Sequence, residues 1–394
     1  MNAQDYAAPE SVAKLQQRAL IAGVIGVLLC IVGYVKSPAN FLHSYLLAFI
    51  FVLGLSLGSL GLLMLQHLTG GHWGIIIRRP LESATRALPL VLVLFLPIFF
   101  GMRYLYSIWM TAPSSGEGSL SEFQRSYLTT DGFKIRALIY FAVWLILMFV
   151  FNRWSREQDV NRQDRRLRAR LKMAAGPGII LYVFGMSFAA IDWVMSLSPR
   201  WASTIYGFLF IAGQLISSMS FMIAIVVLLA RTEPLRRVLQ RRHLHDLGKL
   251  LLAFVMLWAY FSFSQLLIIW SGNQPEEISF YRSRLYGGWG FVAVILLIFH
   301  FFVPFFLLLS RDLKRDPKLL PWVAVWLILM RFVDLFWLTR PEFTSSAMPS
   351  PWDLAAPLAL VGLWLGVFAW QLKQRPLLPL GDPKLKEAIE QHEY

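Results

Sequence analysis

The feature that most constrains this chain is a succession of apolar runs, each of about twenty residues, from residue 18 to residue 372. A run of that length crosses a hydrocarbon core of about 30 Å as an α-helix rising about 1.5 Å per residue. No water is present there to satisfy a backbone, so spanning segments are helices or closed barrels. The pattern predicts an all-α integral membrane protein of about ten transmembrane helices, at 18–35, 42–66, 87–109, 134–151, 177–197, 203–230, 249–270, 285–309, 319–338 and 354–372. Residues 1–17 and 373–394 remain as flanking segments.

The charges test that count independently, because Lys and Arg collect on the cytoplasmic side of a membrane. With both termini inside, about three quarters of the 37 Lys and Arg fall on cytoplasmic segments, a bias of roughly three to one. The expected location is therefore a bacterial inner membrane with cytoplasmic termini. The net charge of +14 then needs no nucleic-acid partner. The basic run "RWSREQDVNRQDRRLRARLK" adjoins a span and faces anionic lipid headgroups.

"IGVLLC" ends at Cys30 and imitates a lipoprotein cleavage site, but Leu29 is too large for that processing, so the first helix is expected to be retained. A single cysteine removes Cys-x-x-Cys-His haem attachment, a cysteine-held iron–sulfur cluster and an internal disulfide. A buried haem needs histidines at matching depth on facing helices. Here His300 is alone in the body of helix 8, His67 and His72 lie at the cytoplasmic end of helix 2, His43 at its outer end, and His243 and His245 open helix 7. No phosphate-binding loop, zinc-protease motif or nucleophile elbow is present.

A weak internal repeat is present. In "IDWVMSLSP" Asp192 precedes Pro199 by seven residues, and in "VDLFWLTRP" Asp334 precedes Pro341 by seven. If their helices enter the membrane at Pro177 and Leu319, each acid is about 22 Å along at 1.5 Å per residue, in the outer third of the bilayer. Helices 2 and 6 echo each other too. Phe51, Gly54, Gly58 and Gly61 match Phe210, Gly213, Ser217 and Ser220, and such small residues form a face that a second helix can approach. Helices 2–5 (42–197) and 6–9 (203–338) thus read as two four-helix bundles in parallel repeat, flanked by helices 1 and 10.

Three stretches carry a family resemblance: "HLTGGHWGIIIRRPLE" (67–82), "GMSFAAIDWVMSLSPRWASTIYGFLFIAGQ" (185–214) and "HDLGKLLLAFVMLWAYFSFSQLLIIWSGNQPEE" (245–277). They resemble the ActF-type membrane subunits of bacterial alternative complex III, within the wider NrfD/polysulfide-reductase family. The resemblance extends over about residues 18–375. It implies two four-helix bundles plus flanking helices, and a cofactor-free subunit of a quinol:electron-acceptor oxidoreductase of the electron-transport chain, with a scaffolding role and a candidate proton path. It further implies an ActC-like paralogous membrane partner, and extracytoplasmic iron–sulfur and haem c subunits that take electrons from quinol.

Three functions compete on the residues: that structural and proton-conducting subunit, a subunit whose acids contribute a quinol site by accepting a hydroxyl proton, and a secondary transporter. Pro89 and Pro97 of helix 3 have no counterpart in helix 7, which counts against paired broken helices of the transporter type.

The site candidates are Asp192, Asp334 and Arg331 on a proton path or near quinol. Arg331 and Asp334, three apart, share a face and are expected to pair. Asp192 has no cation within a turn, so it is expected to be a buried, mostly neutral acid. Glu82, Asp246, His67 and His72 are candidates for a cytoplasmic proton inlet, or else solvated loop and cap residues. The long outer loop 106–134, rich in Ser, Gly and Thr, is expected not to bury itself but to rest on an extracytoplasmic partner.

Overall fold

A computed structural model describes residues 6–113, 120–161, 165–382 and 385. Among them, ten helices are long and apolar enough to cross a membrane, and no strand occurs. They are α1 (Glu10–Lys36), α2 (Pro38–Thr69), α3 (Trp73–Phe100), α4 (Thr130–Val160), α5 (Arg166–Leu197), α6 (Tyr206–Leu229), α7 (Arg241–Gly272), α8 (Gly288–Leu309), α9 (Leu319–Glu342) and α10 (Trp352–Lys373). The chain is a multi-pass membrane protein. Parts of the amino-terminal segment, of the 106–134 loop and of the carboxy-terminal tail lie outside the described residues.

Ten successive crossings return the chain to the side on which it began. The Leu377 N–H donates to the Tyr6 carbonyl at 2.8 Å, which joins the two ends of the chain on one face, here the terminal face. The opposite face is the distal face.

The largest departure from the expected spans is α3, which begins at Trp73 rather than at 87 and ends at Phe100 rather than at 109. The "HWGIIIRRPLE" stretch is helix, not loop, and Ile75, Ile76, Ile77 and Leu81 are wholly buried. Two helical pieces, Trp73–Thr85 and Leu88–Phe100, meet at Arg86 and Ala87. Pro89 causes the break, because it has no N–H to give to the carbonyl four residues earlier. Gly101 follows the second piece.

Past it, the described parts of the outer loop fold onto their own bundle. Tyr106 is fully buried and donates to the Trp193 carbonyl at 3.0 Å, and Gln124 donates to the Pro199 carbonyl at 2.7 Å. The aromatics interleaved among its polar residues supply the burial that its Ser and Gly content hid. The segment before α8 also separates, as its own helix Pro275–Leu285, so α8 starts at Gly288 rather than at 285.

α2 is apolar all round and is enclosed on every side, as a helix of that kind must be. It touches α3, α5, α6 and α10, while α4 packs on α3 and α5. In the second group α6 touches α7 and α9, and α8 lies against α7 and α9. The two groups therefore have the composition of the repeat, α2–α5 and α6–α9, with α1 resting on α10 outside them.

The echoing helices α2 and α6 face each other at the join. A Cβ on Gly58 would stand 2.3 Å from the Gln214 carbonyl oxygen, so only glycine allows this approach. Ser218 seals the contact, donating to the Leu55 carbonyl at 2.9 Å.

Candidate functional site

Three sets of buried charges lie within this frame. The first closes the distal end of the first bundle. Asp192, near the end of α5, is completely buried and receives both arms of Arg136, from α4, at 2.9 Å each. Tyr140, one turn along α4, donates to the same carboxylate at 2.7 Å. This overturns the expectation that Asp192 has no cation to compensate it. The cation comes from another helix, and the i, i+4 spacing of Arg136 and Tyr140 on α4 was the sequence signal for it. Arg136 continues to the Tyr127 carbonyl at 3.1 Å and lies over the Tyr127 ring at 3.9 Å. Burial, with the Asp192 carboxylate beside it, pushes the Tyr127 phenol up to about 12.

The second set is inside the second bundle. Arg331 and Asp334 form the ion pair that their spacing predicts, and both are buried. Trp258 of α7 donates its indole N–H to Asp334 at 3.1 Å. His300 stacks on a face of that indole, with ring centroids 4.2 Å apart. His300 is fully buried on a wide π-type turn, Leu296–Phe302. The Met330 backbone is its polar neighbour, but neither ring nitrogen makes a hydrogen bond of ordinary geometry. Arg331 itself lies against Gly213.

Aromatic neighbours of both acids pack on one turn of α2. Trp193, next to Asp192, packs on Phe49, and Phe332, two residues before Asp334, packs on Phe51.

The third set lies toward the terminal face. Glu82, on the early part of α3, has no exposed surface, so it is neither a loop nor a cap residue. It accepts from Arg78 at 3.3 Å, Arg79 at 2.5 Å, Arg375 at 3.2 Å and the Ser155 hydroxyl at 2.5 Å. Arg78 also donates to Asp382 at 3.0 Å and Gln158 at 2.7 Å, and Arg79 pairs with Asp159. Arg375 and Asp382 belong to the carboxy-terminal tail, which is thereby folded into the cluster. A buried charge persists only with such partners.

His67, half-buried at the end of α2, stacks on Phe151 and lines a small recess with Gln66, Arg78 and Asp382. His72 lies in the turn before α3. Asp246 is separate, near the start of α7, half-exposed and paired with Lys249 at 3.4 Å. Of the four inlet candidates, the structure gathers Glu82 and His67 and leaves Asp246 as an ordinary surface acid.

Between the third set and the second runs a row of buried polar groups. Thr85 donates to the Glu82 carbonyl and accepts from Asn152, at 2.8 and 2.9 Å. Ser56 donates to the Ala84 carbonyl at 3.1 Å and accepts from Trp364 at 2.8 Å. Next to Ser56, the Leu55 carbonyl meets Ser218. One turn away, Gln214 accepts from Tyr182 at 2.8 Å, and its neighbour Gly213 lies under Arg331. Sequence reasoning missed Arg136, Tyr140, Trp258, Arg375 and Asp382. Among the described residues no three His, Cys, Asp or Glu side chains converge to hold a metal ion.

No protein-family model matches the chain, and no curated protein matches it.

Proposed function

We propose that this chain is an integral membrane subunit, carrying no cofactor of its own, of a bacterial quinol:electron-acceptor oxidoreductase, which it scaffolds and to which it contributes a proton path. On this reading it lies in the inner membrane with both termini cytoplasmic. It sits beside an ActC-like paralogue, and the haem c and iron–sulfur subunits on the outer side hold the redox centres.

The observation that supports it best is the row of buried polar groups from Glu82 to the Arg331–Asp334 pair. Polar side chains are costly in a bilayer and face the interior where they serve an ion or proton route. The row brings the hydroxyls of Thr85, Ser56 and Ser218 and the amides of Asn152 and Gln214 close together, linked in part through the backbone carbonyls of Ala84 and Leu55, and hydroxyls are groups along which a proton is handed. The resemblance in 67–82, 185–214 and 245–277 and the basic terminal face point the same way.

Purification in mild detergent, with identification of the accompanying chains and a haem stain, tests the complex. Recovery of the chain alone, without haem or iron–sulfur subunits, overturns it. Gln214→Leu interrupts the row without removing a charge, and is expected to lower proton release per quinol oxidised while leaving haem content unchanged.

A second reading, that the chain itself contacts quinol, draws on one observation. An apolar groove of about 310 Å³ on the distal side is lined by Tyr127, Phe188, Ile191, Met195 and Trp201; Ile191 adjoins Asp192 in the chain, and the Tyr127 ring lies against Arg136. Photolabelling by an azidoquinone at Ile191 or Met195 would favour it, whereas labelling confined to the paralogous subunit sinks it.

A further inference from the structure

On the terminal face a groove of about 830 Å³ runs between the end of α6 and the start of α9. Its floor and walls are apolar: Ala224, Val227 and Leu228 from α6, and Pro321, Trp322 and Val325 from α9. Its mouth carries three cations, Arg231, Arg236 and Lys318. Among the described residues none of the three has a carboxylate partner. The nearby acids are engaged elsewhere, Glu233 with Arg237 and Asp316 with the Lys318 backbone N–H at 2.7 Å. Trp322, in the first turn of α9, is 74% exposed, the placement of an aromatic that anchors at the membrane–water boundary.

An apolar trough entering the hydrocarbon, capped at the boundary by three unneutralised cations, matches one chemistry: acyl chains joined to an anionic phosphate. We propose that this groove is a specific site for an anionic phospholipid, its phosphate held among Arg231, Arg236 and Lys318 and a chain lying along Val227 and Val325. Basic pockets between transmembrane helices bind anionic headgroups in this way. The site stands apart from the charge clusters above and does not depend on the proposed function.

The test is native mass spectrometry of the purified full-length protein, delipidated and then given phosphatidylglycerol or phosphatidylcholine. The wild type is expected to retain phosphatidylglycerol selectively. Each single change, R231Q, R236Q or K318Q, is expected to weaken retention about fivefold, and the triple change roughly a hundredfold, from a contribution near 1 kcal/mol per cation at the surface. Val227→Trp fills the trough and leaves the cations, so it too is expected to lose the lipid, while inorganic phosphate does not compete. The single changes keep the test open if the triple variant fails to fold.

Equal retention of the two lipids by the wild type overturns the proposal. So does a Val227→Trp protein that binds as before while inorganic phosphate competes, which would mark a site for free phosphate. Unchanged lipid retention in the charge variants, with loss of an accompanying protein instead, would assign the groove to a protein partner.

Discussion

The guanidinium of Arg331 occupies the space that a side chain on Gly213 would need: a Cβ there would stand 2.1 Å from Arg331 Cζ. Gly213 and Gly58 fall in matching stretches of the repeat, but they serve different ends. On α2, Gly58 admits a neighbouring helix backbone; on α6, Gly213 admits a charge. The two bundles thus compensate their acids differently, the first from α4 through Arg136 and the second from within α9 through Arg331.

Gly213→Ala is expected to displace Arg331 and weaken its pairing with Asp334. Breaking a buried pair costs about 3–5 kcal/mol, so the variant is expected to lose a large part of its stability in detergent, read from thermal or denaturant unfolding. In an Arg331→Ala/Asp334→Asn background the same substitution is expected to cost less than about 1 kcal/mol, because the group it collides with is gone. Equal costs in both backgrounds would show that Gly213 is needed for something other than Arg331.

The two acids are expected to respond unequally to amidation. Asp334→Asn strands Arg331, whose side chain is 2% exposed, whereas Asp192→Asn leaves Arg136, 21% exposed, still bonded to the Tyr127 carbonyl and free to turn to water. The expected losses are about 3–5 kcal/mol for the first and about 1–2 kcal/mol for the second. Matched unfolding curves for the two variants decide the order.

What was legible in the sequence was whatever depends on one helix at a time. Run length found all ten spans, but α1, α4, α5 and α7 each extend about eight to eleven residues further on the terminal side, where charged residues continue the helix beyond its apolar run. The i, i+3 spacing of Arg331 and Asp334 announced their pair. The rest depends on which helices meet. Asp192 looked uncompensated because Arg136 is 56 residues away in sequence, and Glu82 looked like a loop acid because its partners come from α3, α4 and the tail. Reading "RRPLE" as a solvated loop was reasonable for any one segment, since three arginines and three acids enter a membrane protein only when brought together.

That cluster permits a charge-conserving test. Arg375→Gln leaves Glu82 with less positive charge, and Asp382→Asn leaves Arg78 with less negative charge. Each single change is expected to destabilise by about 1–3 kcal/mol. The double change removes one charge of each sign and is expected to cost less than the sum of the singles by at least about 0.5 kcal/mol, the coupling typical of one network. A strictly additive result would mean that the tail residues do not share the cluster's field.

Tyr127 gives a pH dependence with a definite sign. Its pKa stands at about 12 against an ordinary 10.0, raised by burial and then by the Asp192 carboxylate. The folded state holds this proton more tightly than the unfolded chain does, so the resulting stabilisation is complete below about 10 and is lost as the pH rises toward 12. Tyr127→Phe is expected to flatten that part of the alkaline stability profile. Asp192→Asn is expected to lower the pH at which Tyr127 ionises, followed in ultraviolet difference spectra against the Tyr127→Phe protein. An unchanged profile in Tyr127→Phe would place the alkaline loss elsewhere.

His300 presents a cost without an evident structural return. Its ring is wholly buried, stacked on Trp258, and neither nitrogen is satisfied by a bond of ordinary geometry. A buried polar group held only by a poorly aligned backbone contact, here with Met330, forfeits much of the about 1–3 kcal/mol that a good bond would return, and the stack on Trp258 asks only for a flat ring. Phenylalanine supplies that ring without the polar atoms, so His300→Phe is expected to raise stability by about 1–2 kcal/mol. If the Arg331–Asp334 end of the polar row hands a proton on, an imidazole beside it on a widened turn is the group placed to receive it, across the indole that Asp334 already engages. His300→Phe is then expected to pair higher thermal stability with reduced proton release per quinol oxidised, measured in the assembled complex and normalised to haem. A variant that is more stable and fully coupled would reduce His300 to a packing residue, and the route from Asp334 to the distal face would have to run along the α9 side of the bundle.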